Sequence, residues 1–133
     1  MLVTLIAGLP GSGKTTLAAV IAERDGAVVV DDPMSIDRLD DIPADAPAAV
    51  VTHPAFCRPE ARDRVEREIR ARFPGAELRW LFFENDPDAC ADNVARRADG
   101  RAVGGYLRRL SRDYVVPEGA ETVPVHRGAA PSP

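Results

Sequence analysis

The chain has 133 residues, 45% of them apolar and 29% charged, with a formal net charge of −4. That length supports one hydrophobic core, so a single domain over 1–128 with a flexible tail at 129–133 is expected. The acidic balance argues against broad electrostatic capture of nucleic acid, and no apolar stretch is long enough for a membrane helix.

The apolar opening at Met1 gives way to glycines too soon for a signal peptide, so a cytoplasmic protein is expected. Cys57 and Cys90 lie far apart and lack metal-ligand spacing, which predicts two free thiols. A catalytic cysteine is the weaker alternative, with only His53 and His126 as partners. The charge is uneven. Residues 1–57 carry Lys14, Arg24 and Arg38 against eight acids, whereas 58–133 carry fourteen arginines against thirteen acids.

Met1–Ala7 is an apolar run of β-formers, predicted as a strand buried on both faces. It leads into Gly8-Leu9-Pro10-Gly11-Ser12-Gly13-Lys14-Thr15-Thr16, a complete G-x-x-x-x-G-K-[ST] phosphate-binding loop. Lys14 is the only lysine in a chain that otherwise takes its positive charge from sixteen arginines. A compact ammonium on a flexible stem can reach between terminal phosphates where a planar guanidinium fork does not fit. Thr16–Arg24 is predicted as the helix that follows, ended by Asp25-Gly26. Strand, glycine loop and helix together aim backbone amides and a helix N-terminus at an anion. Gly8, Pro10, Gly11, Ser12, Gly13, Lys14, Thr15 and Thr16 are therefore assigned to ATP or another nucleoside triphosphate, with the Thr15 hydroxyl on Mg²⁺.

Gly26–Pro33 is predicted as a second buried strand, ending in two carboxylates and closed by its proline. A short helix or turn is expected around Ser35–Asp40, then loop to Pro47. Ala48–Thr52 forms a third strand, followed by His53-Pro54. Pro59 suits a first helical position, and 59–73 is predicted as a helix with Ala61, Val65, Ile69 and Phe73 on one stripe. Its Glu60–Arg64, Asp63–Arg67, Glu66–Arg70 and Glu68–Arg72 pairs at i, i+4 favour a solvated, self-paired face over a nucleic-acid patch. Pro74-Gly75 turns into a fourth strand over Glu77–Phe83. Asp86 caps a helix over 87–97, a break follows at Ala98–Arg101, and 103–113 is helical again. Thr122–Val125 is a final short strand. Strands separated by helices predict an α/β fold, a three-layer doubly wound parallel sheet of about five strands. Ligands then belong at the carboxyl ends of the strands.

Phosphoryl transfer needs a cradle, Mg²⁺, a base for the attacking hydroxyl and cations for the moving group. Asp31 and Asp32 end the strand after the cradle helix. Asp31 is the favoured general base and Asp32 a substrate contact, against a plain turn-capping role for both. Arg96, Arg97 and Arg101 flank the break at Asp99-Gly100. Arg97 and Arg101 are assigned to a closing lid and Arg96 to substrate, against simple solvated surface. His53 is a substrate contact or an ordinary strand-end residue. Glu84 either holds Mg²⁺ through water or helps Asp86 cap the next helix.

This order of motifs resembles the kinase domain of bacteriophage polynucleotide kinase, within the wider P-loop kinase group that includes zeta-toxin-like kinases. The resemblance rests on Leu9–Thr16, on Val30-Asp31-Asp32, on Val51-Thr52-His53 with Arg58–Arg62, on the Arg97/Arg101 spacing and on Leu107–Tyr114. It implies a P-loop kinase fold, Asp31 as base, Arg97 and Arg101 as lid, and transfer of the γ-phosphate to a hydroxyl of a nucleic acid or nucleotide. A 5′-hydroxyl or a hydroxymethylated pyrimidine base of DNA, as in phage DNA modification, would be the acceptor. Three features depart from that family. Met34 stands where it has an arginine, His53 replaces an aspartate, and the stretch between Pro33 and Val50 is much shorter. A small-metabolite kinase and a nucleotide-binding ATPase switch remain the alternatives. No membrane partner is expected, and self-association is compatible with the small core but not implied by it.

Overall fold

In the computed structural model, residues 1–31, 36–97 and 104–125 are described, with the side chains of 36–38, 97 and 104 outside that description. The elements in order are β1 (Leu2–Ala7), α1 (Lys14–Asp25), β2 (Val28–Asp31), a 3₁₀ turn (Ile36–Asp41), β3 (Ala48–Thr52), a second 3₁₀ turn (Pro54–Cys57), α2 (Pro59–Arg72), β4 (Glu77–Phe83), α3 (Pro87–Arg97), α4 (Gly104–Asp113) and β5 (Thr122–Val123). The predicted elements match these closely. The last strand is the exception: pairing ends at Val123, although Val125 is buried beyond it. The tail at 129–133 and His126 lie outside the described residues.

All five strands are parallel, in the order β2-β3-β1-β4-β5. β1 lies at the centre, with Leu5 opposite Val51 on one side and Trp80 on the other. A strand with two strand neighbours and helices on both faces has no polar side, which is why residues 3–7 read as an unbroken buried run. The chain steps one way from β1 to β2 and the other way from β3 to β4. Right-handed crossovers therefore put α1 on one face and α2 on the other. The core joins Leu5, Ile6, Val50, Phe56, Val65, Ile69, Leu107 and Leu110 with their neighbours.

α2 begins on Pro59 and buries Val65 and Ile69, the predicted stripe. Of its four expected i, i+4 pairs, Glu66–Arg70 and Glu68–Arg72 form. Arg72 also reaches Asp40 at 2.8 Å, tying the first 3₁₀ turn to α2. Leu39 and Ile42 sink that turn into the core.

Polar clamps hold the carboxyl end of the sheet together. The buried Tyr114 hydroxyl donates to the Phe83 carbonyl, with the Ala7 carbonyl 3.4 Å away. The Asn85 amide donates to the carbonyls of Ser111 and Tyr114 at 2.9 and 3.0 Å, and Ser111 returns a bond to Asn85. The end of α4 is thus pinned to the strand tips that carry the phosphate loop. No helix among the described residues is long and apolar enough to cross a membrane.

Replacing Tyr114 by Phe keeps the ring but strips the donor from two buried carbonyls, at a cost of about 1–2 kcal/mol. Urea unfolding should show a lower midpoint with an unchanged slope; an unshifted midpoint would mean the hydroxyl bond contributes nothing to the fold.

Candidate active site

The crevice opens at the carboxyl end of β1, where the chain departs to opposite sides of the sheet. The loop leaving β1 closes on itself through the Ser12 amide and the Leu9 carbonyl at 3.1 Å. Gly11 and Gly13 have φ of 87° and 112°, a left-handed region that side chains disfavour. α1 starts on Gly13 with no side-chain cap, so its first amides and positive dipole end face the crevice. That is the geometry an anion needs. Lys14 folds back over the loop, its ammonium 2.9 Å from the carbonyls of Gly8 and Leu9. The Ser12 hydroxyl is buried with no hydrogen-bond partner among the described residues.

The loop is seated by its surroundings. A Cβ on Gly8 would lie 2.6 Å from the Ser12 hydroxyl, and one on Gly11 would run into the Cys90 carbonyl and the Val94 side chain. α3 therefore packs directly on the Gly11 backbone. The Asn93 amide donates to the Gly11 carbonyl at 2.8 Å, and Arg96 donates to Asn93 Oδ1 at 3.2 Å.

Asp31 ends β2 beside this loop. Its Oδ2 accepts from the Thr15 hydroxyl and its Oδ1 from the Thr52 hydroxyl, both at 2.8 Å. One carboxylate thus joins the phosphate loop to the tip of β3. Thr52 received no role from the sequence, where it ends an apolar run. Mg²⁺ takes one or two carboxylates and hydroxyls, with phosphates and water completing its shell. Thr15 and Asp31 are such hard oxygen donors, already in contact, and fit that ion. Among the described residues no group of three or more His, Cys, Asp or Glu side chains could hold a metal.

The remaining candidates are placed unevenly. His53 follows β3, and its Nδ1 accepts the Ala55 amide at 2.9 Å, capping the second 3₁₀ turn. Its ring lies 5.8 Å from Phe56. The strand-end reading is the one these contacts support. Glu84 has a partner the sequence did not suggest: its Oε1 accepts the Val125 amide at 3.0 Å and pins the segment after β5. Asp86 caps α3 through the Ala89 amide as predicted. Arg96 is exposed and reaches Asn93. Asp32 and Arg101 lie outside the described residues, as does the Arg97 side chain at the end of α3.

Nothing in the sequence signals where Cys57 lies. Neither cysteine forms a disulfide, as expected; both are buried, and Cys57 lies against the loop. Burial pushes its thiol up to about 11, opposed by the Lys14 and Arg62 charges and the Gly8 amide. Arg62 is held there by the Phe56 carbonyl at 2.8 Å, over the face of Phe82. An apolar pocket thus keeps the thiol neutral beneath a cationic rim.

No protein-family model matches the chain, and no curated protein matches it. Solved structures do. A gluconokinase from Sinorhizobium meliloti 1021 superposes with a TM-score of 0.61 at 20% identity, over 92% of this chain and 81% of that one. A sugar kinase from Janibacter sp. HTCC2649 gives 0.60 at 17% identity, over 93% and 83%. The YorR protein of Bacillus subtilis, in complex with phosphorylated GDP, gives 0.55 at 15% identity, over 96% and 86%. The fold is the α/β, five-stranded parallel arrangement of P-loop kinases. At these identities the likeness is one of fold, and the chemistry rests on the residues.

A neutral thiol is a poor nucleophile, so Cys57 should resist a disulfide reagent at pH 8 until the chain unfolds. Its folded pKa lies above the ordinary value of 9.0, so it contributes stability that is complete below pH 9 and fades toward pH 11. A Cys57→Ala variant should lose less stability than the parent between those limits; equal losses in alkaline urea titrations would exclude this role.

Proposed function

We propose that the chain is a Mg²⁺-dependent phosphotransferase that moves the γ-phosphate of ATP, or of another nucleoside triphosphate, to a hydroxyl of a small polyhydroxylated metabolite. The observation that carries the reading is the Thr15–Asp31–Thr52 bridge beside the uncapped start of α1. It puts a carboxylate within one hydrogen bond of a loop built for phosphate, where an acceptor alcohol would have to lie.

The roles follow from the positions. Amides of the loop and of the first turn of α1 bind the phosphate oxygens, and Lys14 leaves its carbonyl contacts to reach the terminal ones. The Thr15 hydroxyl would hold Mg²⁺, which would neutralise the charge of the phosphates. Asp31 accepts the acceptor's proton as the new oxygen–phosphorus bond forms. The bond from the γ-phosphorus to the bridging oxygen breaks, and the nucleoside diphosphate leaves. Arg97, the last residue of α3, and Arg101 beyond it are assigned to supply cations, with Arg96 next to them in sequence. Asp32 is assigned a contact to the acceptor, and His53 keeps its place as the cap of the second 3₁₀ turn.

Two things favour a small acceptor. The described part of the segment between β2 and β3 is anchored through Leu39, Ile42 and the Asp40–Arg72 pair, which suits a compact wall more than a groove for a strand. The similar folds include a gluconokinase and a sugar kinase. Neither consideration supports the polynucleotide or modified-base acceptor that the phage resemblance implies. Arg62, Arg70 and Arg72 of α2 are engaged within the chain, which leaves less of that helix's positive charge for a nucleic-acid track. A carboxylate poised beside the loop also fits a kinase better than a switch, whose chemistry needs a positioned water.

Labelled ATP offered with separate pools of sugars and sugar acids, nucleosides, 5′-hydroxyl DNA or RNA, and hydroxymethylated DNA tests the acceptor. Label should enter the sugar pool. Label confined to DNA would reverse the acceptor class, and rapid hydrolysis with no acceptor present would favour the switch. Asp31→Asn should keep MgATP affinity within a few fold and lower transfer by about 10²-fold or more. Transfer at the original rate would remove Asp31 as the base.

A further inference from the structure

The assignment of phosphate binding to the loop raises a physical question. A glycine corner at φ 87° can flip its peptide, and a flipped Gly11–Ser12 unit would turn a carbonyl oxygen toward the anion. In a trans peptide the carbonyl and the next amide point in opposite directions. The Ser12 amide points inward to the Leu9 carbonyl, so the Gly11 carbonyl must point out, toward α3. There it meets the Asn93 side chain at 2.8 Å. Asn93 is 8% exposed, one of few buried polar side chains in the described chain, and it sits mid-helix where an apolar residue would pack at lower cost. Its other atom, Oδ1, accepts from Arg96. A single amide thus reads a loop carbonyl with its donor and a guanidinium with its acceptor.

We propose that Asn93 is a positioning residue for triphosphate binding, which locks the Gly11–Ser12 peptide with its carbonyl turned away from the phosphates and holds Arg96 beside the loop. The proposal rests on the phosphate-binding reading above and adds a residue that no loop motif contains. Leu or Asp fits the space, yet neither can donate to the Gly11 carbonyl. Asp keeps the acceptor for Arg96 and so separates the two contacts. The packing of Cys90 and Val94 on Gly11 keeps α3 in place when the amide is removed.

The test is calorimetric titration of the purified protein and its N93L, N93D, R96L and N93L/R96L variants with MgATP and with magnesium tripolyphosphate. N93L should weaken both ligands about tenfold, one charge-assisted hydrogen-bond network's worth. N93D should weaken both at least as much, because its donor is lost and a negative charge is gained. R96L, a change at an exposed site, should weaken both several-fold, and the double variant should be no weaker than N93L alone. General damage to the fold would instead appear as a fall in Tm whose size tracks the loss of affinity across the four variants. That correlation overturns the proposal, as does an N93L or R96L protein that binds tripolyphosphate like the parent. If the parent itself binds neither ligand, the phosphate-binding reading falls first and this inference with it. If the parent binds and N93L matches it, only the role of Asn93 falls.

Discussion

A helix that begins on glycine, with no side chain to cap it, exposes several backbone amides that have no partner inside the helix. Such an end is costly unless something else supplies the missing acceptors. Much of the surrounding structure can be understood as holding that end open. β1 brings the loop up through the middle of the sheet, and the carbonyls at its tip face Lys14 and Tyr114. α3 lies on the outer side of Gly11 and leaves no room for a side chain there. Beneath the loop, Cys57 fills space without adding charge. The rigidity is in the frame, and the amides themselves stay available.

The same constraint explains where polar groups appear in an otherwise apolar interior. Buried polar atoms are expected to be paired, and most of those near the loop are. Tyr114 and Asn93 from the interior, and Asn85 from the surface, each bond to main-chain carbonyls, so they fasten strands and helix ends whose backbone partners run out. The Ser12 hydroxyl departs from this rule and stands out for it. Asp31 belongs to the same economy: its two oxygens take two hydroxyl donors from different elements, so its orientation is set before any ligand arrives.

Most of the fold was legible because its signals are local. Apolar runs bounded by glycine and proline marked β1, β3 and β4 to within a residue, and Pro59 marked the start of α2. The cradle was legible because its spacing is a mechanical requirement. What stayed hidden was anything that depends on pairing across the chain. Thr52 looked like the polar end of a strand, and only the sheet order brings it to Asp31. Asn93 looked like an ordinary helix residue until α3 was placed against Gly11. Glu84 drew attention as a carboxylate at a strand tip, yet its partner is a backbone amide forty-one positions on. His53 was read as either a substrate contact or an ordinary strand-end residue, and the position of the Ala55 amide favours the second.

The location of β2 carries a separate implication. It is the outermost strand on its side of the sheet, paired only with β3, whereas the cradle hangs from the central one. Rearrangements at a margin disturb fewer neighbours than rearrangements in the middle. A lineage built on this plan could therefore exchange the molecule it modifies by reshaping the rim around Asp31, while the machinery gripping the donor stays as it is.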